Sequence, residues 1–143
     1  MISYVTGFMF SKNIKNVALI KKIKPTWQKG LYNGIGGKVE CNETASEAMA
    51  REFEEETGVK THPDEWRLYT IITSPNEYEI SFFFMISDQA YFVQTIEKEV
   101  VSIYQINQLP ENTIWNLRWL IPLALDPKLT FRSPLKLNEF SRV

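Results

Sequence analysis

Apolar positions along this chain fall into short blocks of two kinds, and the spacing inside each block separates strands from helices. Residues 3–10 and 17–23 are dense in Val, Ile, Leu and aromatic side chains, with the polar turn Ser11-Lys12-Asn13 between them. Runs of that length and composition read as strands. Further strands are expected at 66–73, 79–86 and 99–105, the first two joined through Ser74-Pro75-Asn76, residues that favour turns. Residues 24–34, rich in Lys, Pro, Gly and Asn, read as a loop leading into Ile35-Gly36-Gly37-Lys38-Val39. The best helix signal spans 45–57: Thr44 followed by Glu47 fits a capping box, and Gly58 fits a C-terminal stop. A second helix is expected near 112–125, with Pro122 either kinking it or lying near its end. Helices interleaved with strands, without repeats or linkers, predict a single domain over residues 1–143 of the α/β or α+β class.

On the 45–57 helix, residues placed at about 100° intervals bring Glu52, Glu55 and Glu56 onto one face as i, i+3 and i+4 neighbours. Met49, Ala50 and Phe53 occupy an adjacent face suited to packing on a sheet. Three like charges on one face repel one another, and a divalent cation reverses that cost. Carboxylate oxygens are the ligands Mg²⁺ prefers, with waters and phosphate oxygens completing its shell. A solvated acidic helix face would carry the same three residues.

Composition adds two points. The net charge of −1 hides a segregation: seven lysines and no acidic residue precede Glu40, so the rest of the chain is acidic. Such a division suits a metal site beside a phosphate-attracting wall, and it lacks the basic balance of a nucleic-acid-polymer binder. The single cysteine, Cys41, cannot form an internal disulfide. With no apolar run near the roughly 20 residues of a membrane span and no signal-peptide pattern, a cytoplasmic protein without membrane contact is expected, monomeric or homodimeric.

Spacing across the whole acidic segment is more specific than the helix face alone. Gly37, five residues, Glu43, seven residues, then Arg51-Glu52-Phe53-Glu54-Glu55-Glu56-Thr57-Gly58-Val59 resembles the signature of the Nudix hydrolases, over a box at 37–59. Matches to its fixed residues would arise by chance in roughly one chain per million. The resemblance implies a mixed β-sheet sandwiched between helices and hydrolysis of a diphosphate linkage by metal-activated water. It implies Glu52, Glu55 and Glu56 as ligands of Mg²⁺ (Mn²⁺ in substitution), with Gly36 or Gly37 offering a carbonyl; Arg51 organises the carboxylates through Glu43. Glu56 is the first candidate for the general base. Some relatives use a glutamate from a later loop, for which Glu99, and less so Glu97, is placed.

The flanks of the box are similar to those of MutT-type enzymes that act on modified purine nucleoside triphosphates such as 8-oxo-dGTP. The run Trp27…Tyr32-Asn33-Gly34-Ile35-Gly36-Gly37-Lys38-Val39 matches positions that stack on and touch the base, and Trp115-Asn116…Trp119…Pro122 resembles a second base-contacting segment. This chain has Asn116-Leu117-Arg118 where that group carries paired aspartates. The implied substrate contacts are Trp27, Asn33, Trp115 and Asn116, with Lys24 and Lys38 toward the phosphates. An asparagine amide both donates and accepts, as reading a purine edge requires. Two other substrate classes have a clue each: Pro75, sixteen residues beyond Val59, for ADP-ribose, and Tyr78 for dinucleoside polyphosphates. A Nudix-type ligand-binding module without turnover would also share the fold, although such modules typically lose box carboxylates, and none is missing here.

Overall fold

Strands that read as apolar along their whole length do so because both faces of their sheet are covered. A computed structural model describes residues 1–140. It contains strands β1 (Ile2–Phe10), β2 (Asn16–Lys21), β3 (Tyr32–Asn33), β4 (Ile35–Lys38), β5 (Arg67–Ser74), β6 (Tyr78–Ile86), β7 (Val100–Gln105) and β8 (Leu135–Asn138), and helices α1 (Ala45–Thr57) and α2 (Leu117–Leu125). All eight strands form one mixed sheet in the order β3-β2-β1-β6-β5-β8, with β4 added to β1 and β7 to β2. β1 runs parallel to β6 from Ile2↔Tyr78 to Phe10↔Ile86. The other flank of β1 is shared: Tyr4 to Gly7 pair with β4, and Phe10 pairs with Val17 of β2.

Period-two alternation divides the strand side chains between two cores. Val5 and Met9 of β1, Ala18 and Ile20 of β2, and Phe83 and Met85 of β6 pack with Ala48, Met49, Ala50 and Phe53 of α1. Their neighbours Phe8, Phe10, Val17, Leu19 and Phe82 pack with Leu117, Leu120, Ile121 and Ala124 of α2. The result is an α+β sandwich, a sheet with one helix on each face. Phe53 is fully buried against Trp66, their ring centroids 5.1 Å apart. Tyr69, equally buried, donates its hydroxyl to the Leu120 carbonyl at 2.8 Å and so ties β5 to α2.

The first helix forms as its sequence predicts. The Thr44 hydroxyl accepts from the Glu47 N–H at 3.1 Å, and the Glu47 carboxylate accepts from the Thr44 N–H at 2.9 Å. Gly58 closes the helix at φ 78°, a left-handed conformation that favours glycine, with its N–H on the Glu54 carbonyl.

Local expectations are corrected at several points. β2 ends at Lys21 rather than 23, because the next amides turn to a carboxylate described below. The 24–34 segment holds a 3-10 turn at Thr26–Gln28 and strand β3, and Ile35–Lys38 is itself a strand. α2 begins at Leu117, not near 112, because residues 112–114 pair with Tyr32 instead: its N–H donates to the Asn112 carbonyl at 3.0 Å, and Ile114 N–H donates back at 2.9 Å. Pro122 lies inside α2, where its missing N–H strips a partner only from the exposed Arg118 end of the helix. Strand β8 has no counterpart in the sequence expectations. It lies parallel to β5 at the sheet edge, with all four residues exposed.

Candidate active site

The acidic face of α1 is organised by one guanidinium. Arg51 lies on the helix surface with its side chain 24% exposed, so its hydrogen bonds are only partly shared with water. Nε and Nη2 grip Glu43 at 2.6 and 2.9 Å, the two-pronged geometry a carboxylate and a guanidinium favour. Nη1 donates to Glu52 at 2.9 Å and reaches Glu55 at 3.3 Å, while Nη2 also donates to the Lys38 carbonyl at 3.0 Å. Arg51 therefore joins the loop before α1, the end of β4 and two of the three acidic residues. Its hydrogen bond holds Glu43 below the usual carboxylate range although burial opposes it, and Glu43 in turn raises the guanidinium.

Glu52 and Glu56 carry the opposite shift. Burial raises Glu52, with Arg51 offsetting part of the effect. Burial pushes Glu56 up to about 8; Lys22 opposes this, and the charges of Glu52, Glu99 and Glu97 add to it. Among the described residues, the buried Oε2 of Glu56 has no hydrogen-bond partner. An unpaired buried carboxylate oxygen is a costly arrangement, and costs of this kind concentrate where a site awaits a ligand.

Gly37 completes the acidic site. A Cβ at Gly37 would run into the Glu52 carboxyl group, so the β4 backbone and that carboxylate lie closer than any side chain permits. A Cβ at Gly36 would instead strike the backbone of Val5 in β1. The two adjacent glycines thus serve different ends, one the sheet and the other the acidic cluster.

Glu56 lines a cleft of about 520 Å³ together with Ile20, Ile23, Lys24, Ile96, Glu97, Lys98 and Glu99. The sequence offers Glu99 as an alternative base, but here its carboxylate is occupied. Oε1 accepts from Lys22 Nζ at 3.2 Å, and Oε2 accepts from the Ile23 and Lys24 amides at 2.6 and 3.2 Å. Those bonds together hold Glu99 below the usual carboxylate range, although burial alone would raise it. A larger cleft, about 720 Å³, runs along α2 between Ile106, Leu109, Leu117 and Ile121, and none of its lining residues belongs to the acidic cluster.

Among the described residues, no three His, Cys, Asp or Glu side chains converge into a ready-made metal cage. Glu52 and Glu55 turn to Arg51, while Glu56 faces the cleft. The donors nonetheless suit a hard divalent cation: oxygen ligands alone, one of them unpaired, beside a glycine that leaves room for close approach.

The substrate-side candidates lie on two segments that the fold joins. An isolated bridge pairs Tyr32 with Thr113, placing Trp115 and Asn116 next to β3 and Asn33. Trp27 and Trp115 are each 69% exposed, far from the core positions large indoles usually take. Arg118 lies over the Trp115 ring, 5.7 Å from its centroid. Asn33 spends its Oδ1 on the Gly34 amide at 2.8 Å and keeps only a long contact, 3.4 Å, from Nδ2 to Gln28. The Oδ1 of Asn116 is buried without a partner among the described residues. The lysines diverge: Lys21 lies over Tyr32, Lys22 bonds Glu99, Lys24 lines the cleft, and Lys38 is exposed at the end of β4. Pro75 sits in the β5–β6 turn, and Tyr78 donates to Glu139, so both have structural employment away from the cluster. Cys41 is exposed and unpaired, and no helix among the described residues is long and apolar enough to cross a membrane.

Sequence reasoning left one pairing unseen, that of Lys22 with Glu99. Nothing in the local pattern links residues 77 positions apart; the antiparallel register of β2 and β7, with Lys21 opposite Val100, does so.

Comparison with known proteins gives a family model, described as the NUDIX domain, that matches residues 3–133. No curated protein matches in sequence. Among solved structures, a NUDIX hydrolase from Nitrosomonas europaea superimposes with a TM-score of 0.74 at 20% identity, covering 96% of this chain and 79% of that one. A MutT described from Aliivibrio salmonicida and Vibrio cholerae gives a TM-score of 0.67 at 21% identity, over 87% of this chain and 97% of that one. A NUDIX-family hydrolase from Clostridium perfringens gives 0.65 at 20% identity, over 87% and 95%. At such identities the likeness speaks for the fold.

Proposed function

Since the chain belongs to the Nudix family, whose members hydrolyse pyrophosphate linkages with divalent metal ions, we propose that it is a Mg²⁺-dependent pyrophosphohydrolase of a purine nucleoside triphosphate, of the class that includes base-modified forms such as 8-oxo-dGTP. The observation that carries this reading is the lone, buried carboxylate of Glu56 on the cleft wall, beside two carboxylates already oriented by Arg51. Glu52, Glu55 and Glu56, with the Gly37 carbonyl, would hold the cation. Bound there, it supplies Lewis acidity toward the phosphate chain and toward the attacking water.

The chain's own residues supply the rest. The oxygen of Glu56 not engaged in binding accepts the proton of the attacking water as the new P–O bond forms and the bridging P–O bond breaks. Burial raises the Glu56 carboxyl in the metal-free protein, and its place on the cleft wall sets it where the attacking water would approach. Arg51 keeps Glu52 and Glu55 in place through the cycle, so little rearrangement is required at the moment of reaction. Lys24, on the cleft wall, and Lys38, at the end of β4, provide positive charge for the phosphates.

Base selection belongs to Asn33, Asn116, Trp27 and Trp115. Asn33 retains an amide donor and Asn116 an unspent acceptor, one of each polarity, as a purine edge requires. Replacing Asn33 by Ala is expected to narrow the kcat/KM gap between a purine and a pyrimidine triphosphate by about tenfold, the lower part of what a paired base contact contributes. Trp27→Ala should instead weaken all bases alike by removing a stacking surface. Steady-state kinetics over the four nucleotides decides: unchanged selectivity in both variants removes these residues from the base site. The ADP-ribose and dinucleoside-polyphosphate readings carry less weight here, because Pro75 and Tyr78 are accounted for by the β5–β6 turn and the Glu139 contact.

A further inference from the structure

The loop between β2 and β3 carries Lys24 and Trp27, and its geometry is closed at two levels. At its base, Lys22 N–H donates to the Leu31 carbonyl and Gly30 N–H donates to the Lys22 carbonyl, both at 2.8 Å. Inside, Gln28 N–H donates to the Pro25 carbonyl at 2.8 Å and forms the turn that presents Trp27. The amides of Ile23 and Lys24 cannot join either set, since β2 has ended and no strand faces them. Both go to one carboxylate, Glu99, which enters from the residue just before β7.

The same carboxylate takes Lys22 Nζ, in a pair whose side chains are only 17 and 18% exposed. Partial shielding makes such a pair stronger than a surface ion pair, and three donors on two oxygens leave little capacity for a fourth. Lys22 is in turn the leading cation acting on Glu56. On the far side, the Thr95 hydroxyl and the Val101 amide are bonded at 2.9 Å, which fixes the segment that delivers both Glu97 and Glu99 to the cleft.

We propose that Glu99 is a positioning residue that fastens the 22–31 loop to the cleft wall and holds Lys22 beside the acidic cluster, so that substrate meets a preformed phosphate- and base-binding loop. The proposal deepens the nucleoside-triphosphate reading and rests on it for the identity of the ligand. It removes Glu99 from proton transfer and leaves that step to Glu56.

Three variants test it: E99A, E99Q and the double variant E99A/K22A. In E99A the Ile23 and Lys24 amides lose their acceptor, and KM is expected to rise at least about threefold while kcat changes less than about twofold, the pattern of lost binding without lost chemistry. E99Q keeps an amide oxygen for both N–H groups and is expected to recover most of that loss. K22A combined with E99A is expected to add little to E99A alone, because the two residues act as one unit. If E99Q instead loses kcat as heavily as Glu56→Gln does, Glu99 is a base and the proposal is wrong. Hydrogen exchange on the metal-free, substrate-free protein gives a second, independent readout: Ile23 and Lys24 should lose protection in E99A, and unchanged protection overturns the clamp. That result stands whatever the substrate proves to be, so a wild-type protein inactive on nucleoside triphosphates would count against the function alone.

Discussion

Replacing Glu56 by Gln is expected to lower kcat by about 10²–10⁴-fold, the range seen when a positioned acid–base group is removed. The change keeps the size of the side chain and removes only its charge, so the cleft retains its shape. The carboxylate it removes is buried, unpaired and raised to about 8, and none of these properties helps the metal-free fold. The same substitution is therefore expected to raise the melting temperature measured in a chelator. Linkage gives the sign: with a folded-state pKa above the ordinary 4.5, the native protein holds the extra proton, so parent stability falls as pH rises from about 4.5 toward about 8. The advantage of the Gln variant in chelator should therefore grow across that window. Added Mg²⁺ should favour the parent, because only the parent offers the full set of charged ligands. Activity and stability moving in opposite directions is the signature of a group retained for chemistry. A variant that keeps near-normal kcat would remove Glu56 from the reaction.

Adjacent glycines provide the second large effect, and they should fail in different ways. Gly37→Ala sets a methyl group against the Glu52 carboxyl, the far end of a flexible side chain that can swing aside. The fold should survive with little change in melting temperature, while kcat falls by about 10²-fold, as a displacement near 1 Å at a reacting site can cause. Gly36→Ala instead sets its methyl group against the Val5 backbone within the β1–β4 pairing, where nothing flexible can yield. Its expected outcome is loss of stability, read as a fall in melting temperature and in yield of folded protein. Equal destabilisation by both substitutions, with normal kcat per folded molecule, would show that Gly37 serves the sheet rather than the acidic cluster.

The parts legible in the sequence are those whose determinants are local. The α1 helix announces both of its ends, Thr44 with Glu47 and then Gly58, and its faces follow from the helical repeat, so Glu52, Glu55 and Glu56 could be placed together before any fold was known. Both-sided burial left the second halves of β1 (Phe8 to Phe10) and β6 (Phe82 to Met85) as apolar runs, which set their positions but not their partners. What escaped the sequence depends on pairing across distance. The 112–116 segment has the composition of a helix start, yet Tyr32 captures its backbone first. Strand β8 is short and exposed on every residue, so it carries no burial pattern and exists because β5 offers an edge. Glu99 could be placed near the site from chain order, but its occupation by Lys22 and two amides follows only from the register of β2 and β7. Alternation along β2 also splits the basic run, sending Lys21 over Tyr32 and Lys22 to Glu99.

The central claim is that the acidic face of α1 hydrolyses a purine nucleoside triphosphate with a divalent cation. Incubating the protein with a panel of nucleoside triphosphates, 8-oxo-dGTP, ADP-ribose and a dinucleoside polyphosphate, with Mg²⁺ or with chelator and with products resolved by chromatography, tests it most directly. Turnover is expected to require the cation, to be fastest on a purine triphosphate, and to disappear in the Glu56→Gln protein. Cation-independent turnover, turnover retained without Glu56, or ADP-ribose preferred over every triphosphate would contradict it.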